Sequence, residues 1–312
     1  MQTVYLDVRG ADGTVIDAKF CSDDSQPLKG VVIISHGFGE HAASYIELAQ
    51  RLAQAGYASV PFNQRGHGSA AEQANSEFRI RNSELNDEGK GDSAPEERRG
   101  SGKHKDMRGI IPSYQCFLDD IRAVSDAAKK HAPDVPIALY GHSMGGNIVV
   151  NYLLEYDQSE YACAVLEAPW LGLYKEINPV VKGLAKVLGR LSPNIAIINK
   201  LSPEDLTSDT ERVDIFRNDP RYHNRISMRM FSGINKGCEH ALASASKLTI
   251  PIFLAYASND RIVSNRAITG FYNNIRSIVT VKEYDSCHAI HNDKQRDILY
   301  KDIIDYLDEH TV

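Results

Sequence analysis

"IALYGHSMGGNIVVNYLL", residues 137–154, runs apolar up to Gly141, sets a serine two positions later, adds two glycines and resumes as an apolar, helix-like stretch. The first part has the branched and aromatic residues of a buried strand, and the last part has the length and pattern of a helix. Between them Gly141-His142-Ser143-Met144-Gly145 fits Gly-x-Ser-x-Gly. At so sharp a strand-to-helix joint the central serine takes a strained backbone, and the flanking glycines remove Cβ atoms that would clash. The serine then stands clear above the sheet, and the amides of the following helix aim at the same point. The joint is the expected seat of a nucleophile, Ser143.

The rest of the chain repeats the alternation. Short apolar runs at 31–35, 57–62, 136–140, 161–167, 250–257 and 278–284 read as strands. Helix-period segments at 44–55, 114–131, 143–156, 264–275 and 293–309 lie between them. Such alternation predicts a mostly parallel sheet covered by helices on both faces. The first twenty residues read as a strand hairpin turning at Asp12-Gly13 and lack the plan of a signal peptide. Two segments break the pattern. Residues 69–109 carry nine acidic and eight basic residues against four large apolar ones, Phe78, Ile80, Leu85 and Met107, which is too polar for a core of their own. Residues 169–246 mix helix and loop and predict a cap over the carboxyl edge of the sheet, where open α/β sheets bind ligands. The expected division is therefore a core of 1–168 and 247–312, a cap of 169–246, and a polar insertion of 69–109 within the core.

A serine hydroxyl is a weak nucleophile until a base takes its proton and a carboxylate orients the base. With this joint the chain order is serine, acid, histidine. Asp260 follows the strand at 250–257, and His288 follows the last strand. Asp285 is a competing acid, but neighbours in one loop seldom orient an imidazole well. Cys287 reads as a small buried hydrophobe, and His291 as the start of the final helix. The pair His288 and His291 has no further ligand cluster around it, so no metal is expected. An oxyanion needs two amides: Met144, next after the serine, and Phe38 in the loop "HGFGEH", 36–41, after the early strand.

Composition narrows the function classes. Thirty-five basic against forty-one acidic residues give a formal charge of −6, which excludes a basic nucleic-acid footprint. No apolar run reaches membrane-spanning length. Five scattered cysteines argue for free thiols and a cytoplasmic location.

The motifs "HGFGEHAASY" at 36–45, "NQRGHGS" at 63–69, "GHSMGG" at 141–146, "SPN" at 192–194, "SNDRIVS" at 258–264 and "HAIHND" at 288–293 together resemble the monoacylglycerol lipase and lysophospholipase-like branch of the α/β-hydrolases. The segment "LSPEDLTSDTERVDIFRNDP" at 201–220 is similar to that branch's cap pattern. The resemblance implies an α/β-hydrolase fold with a helical cap. It implies a triad of Ser143, Asp260 and His288, oxyanion amides at Phe38 and Met144, and hydrolysis of monoacyl lipids or small esters without a cofactor. A peptidase or acyltransferase on the same triad and a non-catalytic binding protein are the alternatives. Ser44 stands where the branch often has arginine, Phe216 where it often has tyrosine, and Asn63 where it usually has aspartate. Ser44 and Phe216, with His291, are the candidate substrate-binding positions. Transient contact of the cap with a membrane surface is a further expectation.

Overall fold

The computed structural model describes residues 1–68, 107–175, 192, 194–199 and 201–311. Most of the polar insertion, with Phe78, Ile80 and Leu85, lies outside the described residues, as does Pro193.

Strands β1 (Gln2–Arg9) and β2 (Val15–Ser22) form the expected hairpin. They are followed by β3 (Gly30–Ser35), α1 (Ile46–Gln54), β4 (Tyr57–Pro61), α2 (Gln115–His131), β5 (Ile137–His142), α3 (Met144–Glu155) and β6 (Cys163–Glu167). Next come β7 (Ala196–Ile198), α4 (Pro203–Leu206), α5 (Thr210–Asn218), β8 (Arg225–Ser227) and α6 (Met228–Ser244). The chain ends with β9 (Ile252–Ala257), α7 (Asn265–Asn273), β10 (Val279–Tyr284) and α8 (Arg296–Thr311). Eight strands make one sheet in the order β1-β2-β4-β3-β5-β6-β9-β10. The two pairings made by β2 are antiparallel, and every pairing from β4 to β10 is parallel. Strands β7 and β8 pair as a separate ribbon.

The central strands β3, β4, β5, β6 and β9 are buried along almost their whole length because both faces are covered, whereas β1 and β10 at the sheet edges are largely exposed. Val31 and Ile33 belong to the core under α2, α3 and α7, and Val32 and Ile34 to the core under α1 and α8. Along α1, Leu48, Ala49, Leu52 and Ala53 are buried at helical spacing, and this stripe fixes which face meets the sheet. Helix α6 packs into the first of these cores through Met230, Ile234 and Ala241. Helix α6 closes the 169–246 segment, with β7, α4, α5 and β8 before it. Crossover order reverses around β3, which has β4 on one side and β5 on the other. A crevice opens there at the carboxyl ends of the strands.

Candidate active site

Ser143 sits between β5 and α3 with φ 51° and ψ −114°. Among the described residues the only other non-glycine with positive φ is Ala168, φ 41°. Such a backbone costs about 1–3 kcal/mol and persists only when the surroundings hold it. Here the Ser143 amide donates to Glu167 O at 2.9 Å, and the Trp170 and Asn147 amides donate to Ser143 O at 2.8 and 3.1 Å. The glycines are sterically required. A Cβ at Gly145 would lie 2.0 Å from Ser35 O, and one at Gly141 would lie 2.6 Å from Gly145 O. The start of α3 therefore presses against the end of β3, and this brings the 36–41 loop beside Ser143.

His288, in the loop after β10, reaches both partners. Its Nε2 lies 2.8 Å from Ser143 Oγ and its Nδ1 lies 2.6 Å from Asp260 Oδ2. A carboxylate only accepts, so Nδ1 carries the proton and Nε2 is the lone pair that accepts the serine hydroxyl. The other Asp260 oxygen accepts the Ile262 and Val263 amides at 2.8 and 2.9 Å, which fixes the carboxylate. Burial alone would push the His288 imidazolium to lower pKa. The charge and hydrogen bond of Asp260, followed by the charges of Glu40 and Glu167, outweigh it and raise the pKa above the ordinary 6.5. The competing side chains point elsewhere. Asp285 is exposed and accepts from Asn259 at 2.8 Å. Burial, with Asp293 beside it, pushes the Cys287 thiol up, the reverse of thiolate activation.

Phe38 lines the same cavity as Ser143, and Met144 is the first residue of α3, directly after the serine. The loop that carries Phe38 is anchored at its start. His36 Nδ1–H donates to Gly37 O at 2.8 Å, and His36 Nε2 accepts the Gln64 amide at 3.1 Å. Above the serine lies a cavity of about 600 Å³. Ile197, Ile198, Leu206, Ile226, Met228 and Phe231 make its apolar wall, and Lys175, Asn199, Asp205 and Arg261 add polar groups.

None of the three candidate substrate-binding residues lies on this wall. Ser44 Oγ is 2.8 Å from the Tyr222 hydroxyl, and Phe216 packs edge-on against the same tyrosine ring at 4.7 Å. Tyr222 thus joins the two positions that the resemblance singled out. His291 is buried, stacks on Tyr45 at 4.5 Å, and donates Nδ1–H to Glu167 at 2.9 Å.

Sequence reasoning missed a second polar layer behind the triad. Glu40 is buried, and one of its oxygens accepts the Gly37 amide at 2.8 Å and the Tyr45 hydroxyl at 2.7 Å. Glu167 accepts from His291 and Tyr140. Burial opposes both charges, but the neighbouring histidines and the donated hydrogen bonds hold Glu40 well below the usual carboxylate range and Glu167 at about 2. The signal was present as a glutamate directly after the loop glycines and another closing the apolar strand "CAVLE". Glu40, His142 and His291 offer ligand atoms within 4.8 Å of one another. The donors already on Glu40 and His291 make this a hydrogen-bonded cluster that needs no ion to account for it.

A parallel sheet of this order, with a strained serine elbow after its fifth strand and a histidine after its last, defines an α/β-hydrolase. The chain belongs to the Hydrolase_4 family, described as serine aminopeptidase, S33, whose pattern matches residues 26–82 and 96–295. It is similar to a monoacylglycerol lipase of Mycolicibacterium smegmatis, 27% identical over 307 residues, which is 96% of this chain and 95% of that one. It is also similar to the phospholipase YtpA of Bacillus subtilis, 25% identical over 68% of this chain and 82% of that one. A solved structure of a soluble variant of monoglyceride lipase from Saccharomyces cerevisiae, in complex with a substrate analog, superposes with a TM-score of 0.78. The two are 22% identical, and the match covers 100% of this chain and 97% of the other.

Proposed function

We propose that this protein hydrolyses carboxylic esters of monoacyl lipids through an acyl-enzyme formed on Ser143. The observation that carries the proposal is the single imidazole, His288, hydrogen-bonded at once to the hydroxyl on a strained elbow and to a fixed carboxylate. His288 takes the proton of Ser143 as Oγ attacks the ester carbonyl. The oxyanion is held by the amides of Phe38 and Met144. The imidazolium, stabilised by Asp260, then protonates the leaving alcohol, and the same ring activates water for deacylation. An apolar cavity over Ser143 suits one acyl chain, and its few polar groups suit an alcohol head. The similarity to a protein named as a monoacylglycerol lipase supports the monoacyl class.

The test is covalent. A fluorophosphonate probe should label Ser143, and Ser143→Ala should lose labelling and lower kcat on the order of 10⁴-fold or more on a monoacylglycerol. Labelling elsewhere, or retained turnover, would sink the assignment. The family's description as serine aminopeptidases favours a second reading, an aminopeptidase. Cleavage of aminoacyl anilides in preference to esters would select it. We further propose the division into core, 169–246 cap and 69–109 insertion, and a cytoplasmic location. Cys21, Cys116, Cys163 and Cys287 are free thiols, which supports a reducing compartment. No helix among the described residues is long and apolar enough to cross a membrane. Ile195, Ile197 and Ile198, exposed beside the cavity, support transient contact with a membrane surface.

A further inference from the structure

Glu40 touches three parts of the site through one carboxylate. Oε2 accepts the amide of Gly37, the residue directly before Phe38, at 2.8 Å. The same oxygen accepts the Tyr45 hydroxyl at 2.7 Å and lies 3.3 Å from His142 Nδ1. The carboxylate can only accept, so His142 Nδ1 carries its proton toward Glu40. His142 directly precedes Ser143, and its ring packs against His288 with centroids 5.0 Å apart. The contact depends on a missing side chain. A Cβ on Gly37 would lie 2.7 Å from His142 Nδ1 and 2.9 Å from Glu40 Oε2. Glu40 and His142 are 2% and 1% exposed, so water does not screen the arrangement.

We propose that Glu40 is a positioning residue for the hydrolysis, tying the oxyanion loop to the His142 ring that backs the His288 imidazole and adding a fixed negative charge behind that imidazole. The inference rests on Ser143 and His288 acting as proposed above. When Ser143 is attacking, a negative charge grows at the loop and a positive charge at His288. A carboxylate bonded to the loop's backbone and facing the imidazole holds the first site in place and stabilises the second. Tyr45, stacked on His291, extends the same support to Glu167.

The experiment compares wild type, Glu40→Gln, Glu40→Asp and Gly37→Ala for kcat, KM, fluorophosphonate inactivation rate against pH, and thermal stability. Glutamine can still accept from Gly37 and Tyr45 but has no charge. Its kcat should fall by up to about a hundredfold with KM little changed. Its acid limb should move to lower pH, because a negative charge favouring the imidazolium is gone. The other charged or titratable groups near His288 are Asp260, Asp205, Arg261, His142, His291, Cys287 and Glu167, and they are the same in all four proteins. Aspartate keeps the charge but withdraws it from the loop, so kcat should fall while the limb stays near its wild-type position. Gly37→Ala keeps the charge and wedges the contact apart, and should lower kcat without abolishing folding. Wild-type kcat in Glu40→Gln overturns the proposal. So does a loss of kcat that tracks lost thermal stability with an unmoved limb. Should Glu40→Gln not fold, unchanged kcat in Gly37→Ala overturns it. A wild type that never labels at Ser143 refutes the hydrolase reading instead, so the two failures are distinct.

Discussion

His288 works only if its pKa is high enough to hold a proton in the tetrahedral intermediate and low enough to be neutral at rest. Burial and three carboxylates pull in opposite directions, and the carboxylates win. The acid limb of kcat/KM should therefore lie above 6.5, the ordinary histidine value. A limb at or below that value would show that burial dominates. The sign for stability follows from the same shift. A raised folded-state pKa favours the fold most below the unfolded value, and that contribution is lost as pH rises through the folded pKa. The protein is thus most active where this group stabilises it least. Asp260→Asn removes the largest raising influence and turns the tautomer, so kcat should drop on the order of 10⁴-fold. Asp285→Asn, at an exposed carboxylate bonded to Asn259, should change kcat little. The reverse ranking in steady-state assays would reassign the acid.

The loop that carries His288 is held by the segment it faces. The His288 and Ala289 amides donate to Asp205 O and Leu206 O of α4 at 3.5 and 2.8 Å. Asp293 adds a staple: one oxygen accepts from Ser208 Oγ at 2.7 Å and the other from the Cys287 amide at 2.7 Å and Ser286 Oγ at 2.9 Å. This buried carboxylate joins the turn between α4 and α5 to the loop of the base. Burial raises its pKa, but these donors lower it further, so it stays ionised. The stability it adds is present above the unfolded carboxylate pKa and lost as pH falls through the folded value. Asp293→Ala would strand several buried donors and should cost about 2–4 kcal/mol in urea denaturation. It should also lower kcat, since His288 loses its tether. An intact kcat would mean that α4 holds the loop unaided.

How much of this was readable beforehand depended on whether a residue's role is local. Strands such as 31–35 and 161–167 were legible because burial on both faces leaves an unbroken apolar run. Ser143 was legible because its strain needs glycines within two positions. Asp260 and His288 are 28 residues apart and were readable only through strand order. Glu40 and Glu167 escaped because their partners come from other elements, and the only local signs were a glutamate after the loop glycines and another closing an apolar strand. Tyr222 escaped for the same reason, since only the fold sets it against Ser44 and Phe216. The ribbon of β7 and β8 was likewise unreadable, being three residues per strand. Yet this ribbon bears on how a lipid reaches the site. Ile197 and Ile198 are 49% and 66% exposed and also line the cavity, so apolar surface runs from the outside of the molecule to Ser143. An acyl chain leaving a bilayer could follow that surface without crossing water. With a formal charge of −6, attraction to anionic lipid is not the expected driving force, so the contact should be apolar. Ile197→Ser combined with Ile198→Ser should therefore weaken binding to phosphatidylcholine vesicles by about 1–3 kcal/mol, roughly a 5- to 150-fold loss. Turnover of monoacylglycerol carried in those vesicles should fall in step, while hydrolysis of a short, water-soluble p-nitrophenyl ester should hold. Equal losses on both substrates would mean that the two isoleucines shape the cavity rather than meet a membrane, and no loss on either would leave the ribbon without a part in substrate delivery.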